Sequence, residues 1–301
     1  MTKFRLSIFL KPLLLSFLLS GASNITAAEE GGIEFGDLEL VSVCGGFIES
    51  PTFDQDGNLW LLDIPADRVL QIDKAGNCVE RGKTGGIPNG LLFHEDGRLF
   101  VANTNGIGIF DQATGEVEIL VSQYQNAPIV GANDLIFDAN GGLYFTASNN
   151  SDLFNSVGQV FYVPEGRSEP ELFVSGLSFP NGIALSADGR AVLIAEFTAK
   201  RIVSVPALGL EGGGPSARYV FAYTEGGIGP DGMTMDDHGR LFAANLGAGT
   251  VQGFDGAGRK IGIIEFPVEA GMLTSNVISR DGFLYITESS LGQVWRVRII
   301  E

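Results

Sequence analysis

Short apolar runs of four to six residues recur along the chain, separated by turns that pair a polar residue with glycine. Asp56-Gly57, Asp96-Gly97, Asn140-Gly141, Asp188-Gly189, His238-Gly239 and Asp281-Gly282 set the register, their glycines 40, 44, 48, 50 and 43 residues apart. Directly after each comes an apolar strand: Leu59–Leu62, Leu99–Ala102, Leu143–Thr146, Ala191–Ala195, Leu241–Ala244 and Leu284–Thr287. Another short apolar run precedes each turn, as in Leu91-Leu92-Phe93, so every unit carries the strand–turn–strand signature of a hairpin. A third strand follows in Arg68–Asp73, Gly106–Asp111, Gly158–Pro164, Arg201–Val205, Thr250–Asp255 and Gln293–Val297. Six units of three strands and a variable fourth predict an all-β fold, a six-bladed β-propeller with a central channel. A sandwich offers no reason for six-fold regularity, and a β-helix repeat is far shorter. Leu38–Val43, ahead of the first unit, is expected to form the outer strand of the last blade and hide an edge.

Within this pattern one polar position repeats. Eight residues before the turn glycine stand Glu49, Asn89, Asn133, Asn181 and Asp231; in the sixth unit, whose first strand reads as shorter, Asn276 stands six residues before. All are carboxylates or carboxamides, in similar settings: Pro88-Asn89-Gly90, Ala132-Asn133-Asp134, Pro180-Asn181-Gly182 and Pro230-Asp231-Gly232. Innermost blade strands line the axis, so these six positions are expected to form a ring at one mouth of the channel. Two carboxylates with several amide oxygens are hard donors suited to Ca²⁺, with Mg²⁺ or Mn²⁺ as other oxygen-preferring ions. Zn²⁺ fits less well, because the ring offers neither thiolate nor imidazole. Turn chemistry is the competing explanation, since Asn, Asp and Gly favour turns; it accounts for the Asn-Gly pairs but not for Glu49. A second position, Asp63, Asn103, Ala147, Glu196, Asn245 and Glu288, ends the second strands on the same side and is read as turn caps.

Residues 1–28 break the repeat. Lys3 and Arg5 precede an apolar run, Leu13–Leu19, and small residues Thr26-Ala27-Ala28 follow, the layout of a secretory signal peptide. Residues 29–301 are then expected to be the propeller, in a periplasmic or secreted protein with no stable membrane insertion after cleavage. Cleavage after Ala22 and after Ala28 both fit. Removing Lys3, Arg5 and Lys11 takes the net charge from −17 to −20, which argues against a nucleic-acid partner. The only cysteines, Cys44 and Cys78, could pair in an oxidising compartment, but spacing alone leaves the pairing open.

The chain resembles the SMP-30/gluconolactonase/LRE-like family from about Leu38 to Val297. The marks are Glu49-Ser50-Pro51 for the family's E-G-P, Ala132-Asn133-Asp134 followed by Leu143-Tyr144-Phe145-Thr146, Pro180-Asn181-Gly182 and Pro230-Asp231-Gly232-Met233. The resemblance implies a six-bladed propeller that binds a divalent cation, often Ca²⁺, and hydrolyses lactones such as gluconolactone or related esters. It further implies Glu49, Asn181 and Asp231 as metal ligands, with Asn133 as a further ligand or a substrate contact. Asp231 becomes the catalytic residue, as general base or nucleophile, and Asn89 and Asn276 become substrate contacts. Ser50 departs from the family's glycine. Gly131 stands where some members carry a substrate-binding Arg, which speaks against a sugar-acid lactone.

Other hydrolytic devices are missing. The chain has no G-x-S-x-G elbow, and its two histidines, His94 and His238, fall at surface turns on the side opposite the ring. Two further readings stand beside the lactonase: a non-catalytic extracytoplasmic binding module with a structural cation, and a metal-free propeller enzyme of the strictosidine-synthase type. Paired Glu49 and Asp231 speak against the latter. The Asn- and Ser-rich segment Ala147–Gly158 and the Gly-rich connection Leu210–Ser216 distinguish individual blades, and the first is expected to cover the channel mouth and help select the ligand.

Overall fold

The computed structural model describes residues 32–208 and 217–300. The expected signal peptide, residues 1–28, and the connection Leu210–Ser216 lie outside the described residues. The strands form six antiparallel blades arranged as a β-propeller. The first blade is Ile48–Phe53, Leu59–Asp63, Arg68–Ile72 and Cys78–Gly82, paired in chain order. Four more blades repeat this meander, with innermost strands Pro88–Phe93, Ala132–Phe137, Pro180–Leu185 and Gly229–Met235.

The sixth blade takes three strands from the end of the chain, Thr274–Arg280, Phe283–Glu288 and Gln293–Ile300. Its outer strand is Glu39–Val43, with Glu39 opposite Arg296 and Val43 opposite Gln293. Glu34–Phe35 extends the pairing to Ile300 and Ile299. Closing the ring with the first strand satisfies backbone groups that would otherwise form an open edge. Cys44 and Cys78 form a disulfide, their Cα atoms 5.4 Å apart. The bond ties the end of this closing strand to the outer strand of the first blade, so it staples the seam where the two ends of the fold meet.

The apolar residues divide into six buried clusters, one between each pair of neighbouring blades. Leu62 and Val69 of the first blade meet Leu91 and Val101 of the second, for example, and Val294 of the last meets Ile48 of the first. Second strands are covered on both faces by adjacent blades, so they read as continuous apolar runs rather than alternating ones. Leu59–Asp63, Leu99–Asn103 and Leu143–Ala147 are buried at every residue.

One expectation changes. The sixth unit's first strand is not shorter; Thr274–Arg280 has seven residues. Its turn is shorter instead, because Arg280 pairs directly with Phe283 across Asp281-Gly282. Both turn residues have positive φ, 51° and 75°, as a two-residue type I′ hairpin requires. In the first blade the equivalent pair, Phe53 and Leu59, is separated by a five-residue connection.

Candidate functional site

The six ring residues occupy one structural position. Each lies four residues before the last paired residue of its innermost strand: Glu49 before Phe53, Asn89 before Phe93, Asn133 before Phe137, Asn181 before Leu185, Asp231 before Met235 and Asn276 before Arg280. Pairing with the second strand slips at this point in all six blades, between Glu49 and Thr52 in the first and between Pro230 and Met233 in the fifth. A bulge re-aims a side chain that regular pleating would direct into a blade interface. Repeated six times, it gives the ring.

The residue after each ring position shows how closely the strands crowd at the axis. A Cβ on Gly90 would collide with the carbonyl of Asn133, and one on Gly182 with the carbonyl of Asp231. One on Gly232 would strike the Asn276 side chain. These glycines sit in strands, so close approach to the next blade requires them, and turn chemistry does not explain the repeated pairs. Hydroxyls complete the circle. Ser50 Oγ donates to Asn89 O at 2.6 Å, Thr146 Oγ1 to Asn181 O at 2.8 Å, and Ser275 Oγ to Ile48 O at 2.9 Å.

Glu49, Asn181, Asp231 and Asn276 are buried, while Asn89 and Asn133 are half-buried. Glu49 Oε2 accepts from Asn276 Nδ2 and from its own neighbour Ser50 N, each at 3.0 Å. Asn276 Oδ1 accepts from Val277 N at 2.8 Å, so that amide is used at both ends within the ring. Burial pushes the Glu49 carboxyl up to about 7, against the pull of these hydrogen bonds. Asp231 is raised well above the usual aspartate range, first by burial and then by repulsion from Glu49 and Asp134, with the Asn181 amide drawing it part-way back.

Asp134 is the residue that sequence reasoning passed over. Its Oδ1 accepts from Leu135 N at 2.8 Å and its Oδ2 from Ile183 N at 3.0 Å. Burial raises its carboxyl to about 6. The carboxylate follows Asn133 where three other blades carry glycine, and that single break in the repeat was the available signal.

These groups test the fit of a divalent cation. Among the described residues no three of His, Cys, Asp and Glu converge on a common point. A cation here would therefore use Glu49 and Asp231 together with the amide oxygens of Asn181 and Asn133. Asp134 accepts one backbone N–H at each oxygen, and its charge adds to the repulsion on Glu49 and Asp231. Among the described residues, the influences on Glu49 and Asp231 are burial, amides, hydroxyl and backbone groups and other carboxylates, not a basic side chain. Two buried acids that repel one another, with hard neutral oxygens around them, fit a 2+ ion.

The second recurring position does different work. Glu196 is fully buried and accepts from Arg201 Nε at 2.5 Å and from Ser178 N at 2.9 Å. Asp63 pairs with Arg68. Asn103 donates to Thr84 O at 3.0 Å, Asn245 to Glu225 O at 2.6 Å, and Glu288 accepts from Leu273 N at 2.9 Å. Glu196, Asn103, Asn245 and Glu288 thus hold the loop that leads into their own blade's innermost strand, while Asp63 ties the second strand of its blade to the start of the third. At the opposite, turn end, His238 is exposed as expected, but His94 is buried, 4.6 Å edge-on from Phe137. The blade 2–3 interface there is deep enough to enclose an imidazole.

Below the ring, toward the turn end, the channel widens into a cavity of about 540 Å³. Ser50, Asp134 and Asn276 line its inner end, and Asp236 and Asp237 its outer end.

Fold and site together define a six-bladed propeller with an axial ring of oxygen donors. The chain belongs to the SMP-30/gluconolactonase/LRE-like family, whose description it matches over residues 47–290. Lactonase drp35 of Staphylococcus aureus strain MW2 is 30% identical over 240 residues, covering 75% of this chain and 72% of that protein. Lactonase drp35 of Staphylococcus haemolyticus is 29% identical over 234 residues, covering 73% and 70%. Among solved structures, a gluconolactonase from Xanthomonas campestris superposes with a TM-score of 0.77 at 23% identity, covering 90% of this chain and 91% of that one. Regucalcin from Agrobacterium tumefaciens, described as a calcium-binding protein, superposes with a TM-score of 0.73 at 22% identity, covering 88% and 95%.

Proposed function

We propose that the protein is a divalent-cation-dependent hydrolase that opens a lactone or related ester in an extracytoplasmic compartment. One observation carries this reading: Glu49 and Asp231 are both buried in a ring otherwise made of amides, disfavoured as anions first by burial and then by neighbouring carboxylates, Asp134 for Glu49 and both Glu49 and Asp134 for Asp231. Glu49, Asn181, Asp231 and Asn133 would hold the ion, Ca²⁺ first by donor chemistry. When bound, the cation supplies Lewis-acid polarisation of the scissile carbonyl. Asn89 and Asn133, half-exposed on the ring, orient the substrate through their amide groups. Asp231 takes the proton of the attacking water as general base. Direct attack by its carboxylate is the other use of the same geometry; a single turnover in ¹⁸O-water separates them by whether label enters Asp231 or only the product. The drp35 lactonases support the reaction class, and the Cys44–Cys78 bond supports an oxidising compartment.

The decisive experiment is hydrolysis of a lactone panel with and without EDTA, beside Asp231→Asn. We expect chelation to abolish turnover and Ca²⁺ to restore it, with Asp231→Asn at least 100-fold down in kcat, the scale of losing a general base. Turnover indifferent to both would end the proposal. A Ca²⁺-dependent melting shift with no lactone or ester hydrolysed would instead leave a binding module with a structural cation.

A further inference from the structure

Exposed apolar surface and backbone strain both fall at the ring end of the blades. Among the described residues, Ile87, Val130, Ile228 and Met272 are large, apolar and exposed, and each stands in a loop that enters an innermost strand. None of the turns between first and second strands, at the opposite end, exposes such a residue. In the fourth blade this loop carries Phe179, two residues before Asn181, with φ of 53°, a left-handed conformation that is costly for an aromatic residue. Glycine adopts that backbone freely, as Gly131 does at the matching place in the third blade with φ of 69°. Phe179 N donates to Ser151 Oγ at 2.9 Å, and the hydroxyls of Ser156 and Ser178 lie 2.6 Å apart, so the segment 147–158 of the third blade holds the turn. The Phe179 ring packs on that of Phe197, their centroids 5.6 Å apart. Phe197 in turn lies against the fifth blade, where its carbonyl would collide with a Cβ on Gly229, two residues before Asp231. Both rings are half-buried. A partly exposed aromatic pair thus stands between the strands that carry Asn181 and Asp231, at their ring ends.

We propose that Phe179 and Phe197 set specificity at this site: they form one wall of the substrate pocket, and the substrate is a lactone or ester bearing a flat aryl group. The inference rests on the hydrolase reading above. With the carbonyl held at the ring, the aryl group lies against the aromatic pair, on the side of the ring away from the turns. Aromatic side chains reward a flat ring with apolar contact and with edge-on or offset packing. They offer no partner to the hydroxyls of a sugar lactone, and each hydroxyl turned toward them would lose water without compensation. Strain at Phe179 fits this use, since costly backbone conformations gather where a side chain must be aimed. The segment 147–158 then acts on the ligand indirectly, through Ser151 and Ser156, by fixing the turn that presents Phe179.

The test compares γ-butyrolactones carrying methyl, cyclohexyl or phenyl at the γ carbon, with glucono-δ-lactone alongside, read as kcat/KM. We expect phenyl to exceed methyl roughly tenfold, from the apolar area it removes from water, and to exceed cyclohexyl about threefold, from the aromatic contact. Phe179→Gly relieves the left-handed backbone as it deletes the ring, so in EDTA it should melt within about 3 °C of the parent. Its phenyl-to-methyl ratio should nevertheless fall about fivefold. Phe197→Leu keeps apolar bulk and should erase the margin of phenyl over cyclohexyl. The same lactones titrated calorimetrically into Asp231→Asn read the wall without turnover. A phenyl preference in affinity that is lost in Asp231→Asn/Phe179→Gly supports the wall even if no lactone is hydrolysed, an outcome that would remove only the hydrolase reading. The inference falls if neither rate nor affinity prefers phenyl, or if gluconolactone is the best substrate. It falls equally if the phenyl preference survives unchanged in both Phe179→Gly and Phe197→Leu, because the aryl group would then lie elsewhere.

Discussion

Two sets of buried polar residues stand at the same end of the blades and have opposite electrostatic fates. In the outer set, Glu196 and Asp63 are as deeply buried as any acid in the fold, yet each meets an arginine five residues on and Glu196 also accepts a backbone N–H. In the inner set, Glu49 and Asp231 face amides and one another. Burying a charge is costly wherever it happens. An arginine offsets the charge of each outer acid within its own blade, although Asp63 Oδ1 itself accepts no hydrogen bond; the inner pair has no such partner among its named influences and is left with a deficit that a bound cation would offset. Burial alone, then, does not mark a functional acid. The marker is burial whose compensation the chain does not supply.

Substitution gives the largest contrast. Glu196→Ala strips Arg201 and Ser178 N of their partner, and breaking a buried pair of this kind costs about 3 kcal/mol or more. It should lower the melting temperature whether or not divalent cation is present. Glu49→Gln keeps shape and removes a repelled charge, so in EDTA the protein should be as stable as the parent or up to about 2 kcal/mol more stable. The same variant should lose the cation-induced melting shift. Equal destabilisation by both substitutions in EDTA would mean that the two sets are one structural girdle and that the contrast is false.

Acidity gives the next largest. Glu49 moves from 4.5 to about 7 and Asp134 from 3.8 to about 6, with Asp231 raised as well. A carboxyl raised in the folded state binds its proton more tightly there than in the unfolded chain. Its contribution is therefore complete below about pH 4 and is lost as pH climbs toward 7. Surface aspartates such as Asp73, Asp111 and Asp188 are shifted down and act in the opposite sense, so the ring is isolated by difference. The melting shift produced by saturating Ca²⁺ over EDTA should be small at pH 5 and greatest above pH 7, with protons released on binding. A shift of constant size from pH 5 to 8 would place the cation elsewhere.

Most of this inner ring is legible in the amino-acid sequence, because a propeller converts a period along the chain into a position in space. Six turn glycines mark the repeat, and six polar residues at one offset fall on one level of the axis. The apparent exception, Asn276 at six residues rather than eight, disappears when counting starts from the last paired residue: the Asp281-Gly282 turn is short and the strand is ordinary. Interactions between blades are not legible in this way. Nothing local to Gly90 or Gly182 announces that the carbonyls of Asn133 and Asp231 occupy the space of a side chain. Asp134 acquires its environment from Ile183, 49 residues away. The disulfide likewise depends on where the closing strand of the last blade lies beside the first. Periodicity carries position along the axis, whereas contacts between repeats arise only when the ring closes.

The smallest effect tests how the inner ring holds its shape. Ser50 has φ of 52°, a left-handed conformation that costs a non-glycine residue about 1 kcal/mol. Its hydroxyl returns a comparable amount through the buried hydrogen bond to Asn89 O, about 1 kcal/mol. Replacing Ser50 by Gly removes strain and bond together, so its stability should stay within about 1 kcal/mol of the parent. Ser50→Ala also loses the bond but keeps the strain, so it should fall about 1–2 kcal/mol below the glycine variant, the cost of the left-handed backbone. Denaturant unfolding of the pair in EDTA measures the difference. Identical midpoints would mean that the chain at position 50 leaves the left-handed conformation once the hydroxyl no longer ties it to Asn89 O.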